Sequence, residues 1–221
     1  MKVFYPALAL GLTVLASTRG AHAAPPRQIE ITGTAGYRFG GSLDVGFDDE
    51  NDDLNDGVDE HGTVSFDSSA SYGGILGVRV PRSGGVGFLS YSRQETTVRF
   101  NRFDGEGESG KGSASIEYFQ IGGNLEITRG RLTPYFGLSL GMTRFAGLDS
   151  DTGDRFFFSG ALDGGLKIEL TPFLYLRVLG RMPVTFPTGE MYCFSGRGCV
   201  VSLHGQALVQ GEFQGGLTLA L

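Results

Sequence analysis

Beyond residue 23 the chain alternates between apolar and polar positions with a period of two, the mark of strands with two unlike faces. From Gln28 to Gly40, one face carries Ile29, Ile31, Gly33, Ala35, Tyr37 and Phe39, and the other Glu30, Thr32, Thr34, Gly36 and Arg38. A second segment, about 63–80, sets Val64, Phe66, Ala70, Tyr72, Leu76, Val78 and Val80 against Thr63, Ser65, Asp67, Ser69, Ser71 and Arg79. The third, 86–100, has competing parities. Val86, Phe88, Val98 and Phe100 share one, Leu89 and Tyr91 the other, and a bulge near Ser92–Thr96 is the expected reconciliation.

Five further segments follow. Phe119, Ile121, Leu125 and Ile127 define the fourth, and Leu132, Phe136, Leu138, Leu140 and Met142 the fifth. The sixth groups Phe156, Phe158, Leu162, Leu166, Ile168 and Leu170 opposite Arg155, Asp163, Lys167 and Glu169. The seventh groups Leu174, Leu176, Val178, Met182 and Val184 opposite Arg177 and Arg181. The eighth runs to the C-terminus, with Val209, Phe213, Leu217, Leu219 and Leu221 alternating with Gln210, Glu212, Gln214 and Thr218.

The connections alternate in length. Pro81 to Gly85, Arg129-Gly130 and Thr171-Pro172 are tight turns, whereas 41–62, 101–112, 146–154 and 185–202 are long. Short turns on one side and long loops on the other predict an all-β, eight-stranded antiparallel up-and-down barrel that spans a membrane. An even strand number places both termini on the short-turn side.

The N-terminus supports export. Lys2, the apolar run from Phe4 to Ala16 and the small residues of Ala21-His22-Ala23 make residues 1–23 a signal peptide, leaving 24–221 as the barrel. After Ala23 no apolar run reaches the roughly 20 residues of a membrane helix. Removing Lys2 and Arg19 leaves 16 basic against 24 acidic residues, a net of −8. That balance argues against a nucleic-acid partner.

Alternation does not say which face points outward. Asp163, Lys167, Glu169, Arg177 and Arg181 lie on neighbouring strands and are expected to pair across a lumen. On a lipid face each such charge would cost roughly 2–4 kcal/mol at mid-bilayer. Glycine, 37 of 221 residues, recurs on the polar faces at Gly36, Gly73, Gly77, Gly137, Gly141 and Gly165, either to fit a narrow interior or to let the wall curve. Tyr37, Phe39, Phe66 and Tyr72 are candidate interface aromatics.

The stretch Tyr118-Phe119-Gln120-Ile121-Gly122-Gly123, followed by Pro134-Tyr135-Phe136-Gly137 and Leu138 through Phe145, resembles the outer-membrane beta-barrel domain family of small eight-stranded porin-family proteins. The C-terminal Gln214, Gly216, Leu219 and Leu221 resemble the signal such barrels offer to their insertion machinery, although that signal usually ends in an aromatic residue. The resemblance implies residence in the outer membrane among its lipids, as a monomer without enzymatic activity or cofactor. It leaves three roles open: a surface anchor, a narrow channel for ions or small solutes, and recognition through loops 41–62 and 185–202.

Three loop features carry candidate chemistry. Loop 41–62 concentrates acids, and Asp48, Asp49, Glu50, Asp52, Asp53 and Asp56 offer hard oxygen ligands for a divalent cation, against the plainer reading of a solvated acidic loop. Cys193 and Cys199, the only cysteines, are expected to form a disulfide in an oxidising compartment. Ser202 and His204 share a face, but no strained nucleophile turn surrounds Ser202, so no catalytic residue is assigned.

Overall fold

The computed structural model describes residues 28–47, 60–81, 84–102, 110–147, 154–187, 189–192, 200–203 and 207–221. Within them the chain forms β1 (Ile29–Phe39), β2 (Ser42–Phe47), β3 (Glu60–Phe66), β4 (Ser69–Arg79), β5 (Gly85–Arg102), β6 (Gly110–Glu126) and β7 (Leu132–Ala146). There follow β8 (Arg155–Thr171), β9 (Leu174–Phe186), β10 (Gly189–Tyr192), β11 (Val200–Leu203), β12 (Leu208–Val209) and β13 (Gly211–Ala220).

Every neighbouring pair is antiparallel, and the ring β1-β4-β5-β6-β7-β8-β9-β13 closes where β13 pairs with β1, from Glu30↔Ala220 to Phe39↔Gly211. The result is a closed ring of eight staves, each being one strand or a broken run of two or three. At one end the staves join tightly. Arg129 and Leu132 exchange both backbone hydrogen bonds around Gly130, whose φ of +63° costs glycine nothing. Leu174 N donates to Thr171 Oγ1 across the Pro172 turn at 3.1 Å. At the other end the staves continue into the segments read above as loops. β2, β3, β10 and β11 extend the wall there through β2–β3, β3–β5, β10–β11 and β11–β2 ladders.

The faces are inverted relative to a soluble barrel. Leu125, Phe136, Leu138, Leu140, Phe158, Phe213 and Leu217 stand exposed on the outer wall. Arg38, Gln94, Thr143, Lys167, Gln214 and Thr218 are buried inside it. An apolar exterior around a polar interior is the arrangement of a transmembrane barrel.

Two sequence readings are corrected. In the third stave the expected bulge near Ser92–Thr96 is absent: β5 keeps one register with β6 from Gly85↔Leu125 to Phe100↔Gly110, and Val86, Phe88, Ser90, Ser92, Gln94, Thr96 and Val98 all face inward. The irregularity lies on stave two. Phe66↔Val98 and Ser71↔Gln94 enclose five steps on stave two but four on β5, so one extra residue bulges near Asp67-Ser68.

That extra residue reverses the side-chain faces. Below it Tyr72, Leu76 and Val78 point outward, whereas above it Val64 and Phe66 point inward. Stave one makes the same change across Gly40-Gly41, which turns Leu43 inward. Phe66 is therefore buried in the lumen, not an interface aromatic, while Tyr37, Phe39 and Tyr72 are exposed on the outer wall.

The inward glycines report curvature. A Cβ added at Gly36, Gly73, Gly141 or Gly165 would stand 2.0, 2.1, 1.9 and 2.0 Å from a carbonyl oxygen of the next strand. The wall bends so sharply at these points that no side chain fits, and the space is taken by backbone.

Candidate functional site in the barrel lumen

The inward residues stack in layers. Nearest the tight turns lies an ion ring contributed by four staves. Lys167 Nζ contacts Glu30 Oε2 at 2.5 Å and also pairs with Glu126. Arg79 Nη2 lies 2.7 Å from Glu30 and 2.9 Å from Glu126. Two cations and two carboxylates thus share one layer, so neither acid is buried with only one partner.

Lys167 and Arg177 stand directly opposite each other in the β8–β9 ladder. Like charges so placed repel, and the two side chains diverge. Lys167 turns to the acids, while Arg177 donates from Nε to Tyr135 Oη at 2.9 Å and packs 4.5 Å from that ring's centroid. Tyr135 also joins Ile75, Phe88 and Leu179 in a small apolar layer.

The next layer is the Asp163–Arg181 pair, direct partners across β8 and β9 at 2.5 Å. Ser139 Oγ donates to the other Asp163 oxygen at 3.1 Å, and Arg181 Nη2 to Ser90 Oγ at 3.2 Å. Further out, Arg38 Nη2 reaches Glu212 at 2.8 Å and Ser92 at 2.6 Å, and Gln214 donates to Glu212 at 2.9 Å. The Arg38 guanidinium lies 4.6 Å from the centre of the Tyr118 ring, whose hydroxyl donates to Gln210 at 2.8 Å.

Above Tyr118 the lumen turns apolar. Leu43, Val64, Phe66, Val98, Ala114, Ile116, Phe145 and Leu208 form a buried cluster, with Phe157 packed against it. Leu43, Val64 and Phe66 reach it only because staves one and two change face below them. Among the described residues the long-loop end of the bore thus carries an apolar layer, and the levels below it carry mostly paired charges.

Of the residues singled out in the sequence, Asp163 and Arg181 pair with each other, Lys167 pairs with Glu30 and Glu126, and Arg177 takes Tyr135. Glu169 makes no ion pair among the described residues; its backbone N donates to Arg131 O at 2.8 Å. Glu30, Arg38, Arg79, Glu126, Glu212 and Tyr135 were not named as members of the network. All but Glu126 and Tyr135 stand on the polar parities read from the sequence, so the signal was present, but pairing across the bore depends on how the ring closes. Cys193, Cys199, Asp48, Asp49, Glu50, Asp52, Asp53, Asp56 and His204 lie outside the described residues.

No family model matches the chain, and no curated protein matches it. Solved structures do match. The outer membrane protein OprG from Pseudomonas aeruginosa superposes with a TM-score of 0.58 at 10% identity, covering 89% of this chain and 98% of that one. Neisserial surface protein A superposes with a TM-score of 0.50 at 12% identity, covering 87% and 97%. With its closed ring of eight antiparallel staves, polar bore and apolar outer wall, the chain has the fold of the small outer-membrane β-barrels.

Proposed function

We propose that this protein is a closed, non-enzymatic barrel of the outer membrane, exported by residues 1–23, that anchors its long loops at the cell surface. The observation that supports this reading is the stacking of inward side chains along the bore, ion-paired layers toward the turn end and the Leu43–Phe66–Phe145 layer toward the loop end. Eight staves leave an interior about wide enough for side chains to fill, and the inward glycines are occupied by backbone rather than open space. The fold shared with a protein named as a Neisserial surface protein is in keeping with this role.

The test is conductance across a planar bilayer, using refolded chain whose folding is established by heat-modifiable gel mobility. Folded, inserted protein is expected to give no discrete current steps. Stable steps from the parent chain would overturn the closed-barrel reading in favour of a narrow ion or solute channel.

A further inference from the structure

Staves one and two break at one level. The pairs Arg38↔Ser69 and Ser42↔Ser65 flank the break, and between them Phe66 N donates to Gly41 O at 2.9 Å. A Cβ at Gly40 would stand 1.8 Å from Phe66 O, and one at Gly41 2.8 Å from Val209 O. Stave one therefore passes beside the bulge only as glycine.

The bulge on stave two is held from both flanks. From stave one, Tyr37 Oη donates to Ser68 O at 3.0 Å and Gly40 N to Ser68 Oγ at 2.9 Å. On the β5 side, Thr96 Oγ1 donates to Asp67 O at 2.5 Å, and Arg99 Nη2 pairs with the Asp67 carboxylate at 2.7 Å. Asp67 N donates in turn to Thr97 O at 2.9 Å, and Ser69 Oγ to Glu95 O at 2.6 Å. Bonds from two staves thus fix the place of one inserted residue, and a bulge fixed in place fixes the register of the hairpin beyond it.

The loop end of the bore depends on that register. With the residue inserted, Leu43, Val64 and Phe66 enter the apolar layer, the Phe66 ring 5.8 Å from that of Phe145. Ser42, Thr63 and Ser65 occupy the opposite face of the same hairpin. A slip of one residue against β5 exchanges the two faces. On the stave-eight side little opposes it: among the described residues β2 pairs with β11 only at Val201↔Phe47 and Ser202↔Gly46.

We propose that the tethered bulge is a conformational switch for the loop end of the bore. Tethered, the β2–β3 hairpin presents Leu43, Val64 and Phe66 to the bore. Released, it slips by one residue on β5 and presents Ser42, Thr63 and Ser65 instead. The inference deepens the closed-barrel reading and rests on it: the apolar layer is the part of the closure that can be exchanged for a polar one.

The chain contains no tryptophan, so Phe66→Trp supplies a single fluorescent reporter in the full refolded chain, its folding established by heat-modifiable mobility. In the parent background the reporter should emit in the blue and resist quenching by acrylamide. Deleting Gly41 and Ser68 together keeps the Ser42↔Ser65 pairing but removes the inserted residue. The reporter should then turn outward beside Arg99, with red-shifted emission and severalfold stronger quenching. A milder variant, Tyr37→Phe with Thr96→Val and Arg99→Gln, keeps the chain length and removes three tethers; its quenching should lie between the two. If the deletion does not fold, this variant carries the test. A second reporter, Phe88→Trp in the lower apolar layer, should stay shielded in both, which separates a turned hairpin from a loosened barrel. A shielded reporter at position 66 in the folded deletion variant would overturn the proposal. So would parent-like quenching in the triple variant, or equal quenching of the two reporters. Current steps from the parent chain would refute the closed-barrel reading without altering these quenching values, so the two failures are told apart.

Discussion

The ion ring at the turn end offers the sharpest test of how this barrel is held together. Replacing Lys167 by Met keeps most of the side-chain volume but leaves Glu30 and Glu126 sharing Arg79 alone. Their side chains are 4% and 1% exposed, so water cannot readily take the place of the lost ammonium. Removing one partner of a buried ion pair costs about 3–5 kcal/mol, mostly because the remaining charge is stranded. Arg79 is 29% exposed, which lets solvent screen part of the excess. The expected loss is therefore near the low end, about 3 kcal/mol. With a urea slope of about 1–3 kcal/mol/M, that corresponds to a midpoint lower by roughly 1 M or more.

A compensating change separates stranding from lost packing. Glu126→Gln alone leaves Glu30 with two cations and should also destabilise. Combined with Lys167→Met, it restores one acid to one base, Glu30 to Arg79. The double variant should then lose clearly less than the sum of the two singles, by about 1 kcal/mol or more, as contacting residues in one network do. Urea unfolding of the barrel in vesicles, followed by gel mobility, measures all four proteins. Strict additivity, or a Lys167→Met midpoint equal to the parent's, would refute the argument that the ring is a charge-balanced unit.

Three other substitutions test the wall. A Cβ at Gly141 would lie 1.9 Å from Phe119 O, whereas nothing lies within 4 Å of one at Gly33; Gly141→Ala should cost about 1–3 kcal/mol of overpacking strain and Gly33→Ala roughly 0.5 kcal/mol or less, and equal unfolding midpoints would remove the curvature explanation. Leu138, 59% exposed at the middle of the apolar belt, should tolerate Arg poorly, losing about 2–4 kcal/mol in vesicles; a neutral Leu138→Arg would mean that this wall does not face lipid.

Much of the barrel was legible because staves four to eight keep an unbroken alternation wherever they are described. From Phe119 to Leu221 each predicted outward residue of the belt stands on the outer wall, and the tight turns fall where Gly130 and Pro172 were read. What failed was the assumption that a stave keeps one parity throughout. Gly40-Gly41 and Asp67-Ser68 were the visible warnings: turn-forming residues in adjacent staves, at the same level of the β1–β4 and β2–β3 ladders. Asp163 and Arg181 were legible as partners because they are ladder neighbours. Lys167 with Glu30 was not, since β8 and β1 are not adjacent and meet only across the closed bore.

The apolar outer layer was hidden for a deeper reason. Period-two alternation distinguishes two faces, but a narrow barrel offers an apolar side chain two destinations, the lipid and a dry plug in the bore. Val64, Phe66, Tyr72 and Leu76 share a parity in the sequence, yet the first two enter the plug and the others face outward. Hydrophobicity at those positions is the same for either fate, and only the extra residue between Phe66 and Ser71 distinguishes them. The competing parities of 86–100 have the same origin. Leu89 faces outward, while Phe88 enters the lower apolar layer and Val98 the upper one. A strand whose sequence parities compete is in this fold the trace of an apolar layer inside the bore. It therefore marks the levels at which the closed-barrel reading proposed above is to be tested.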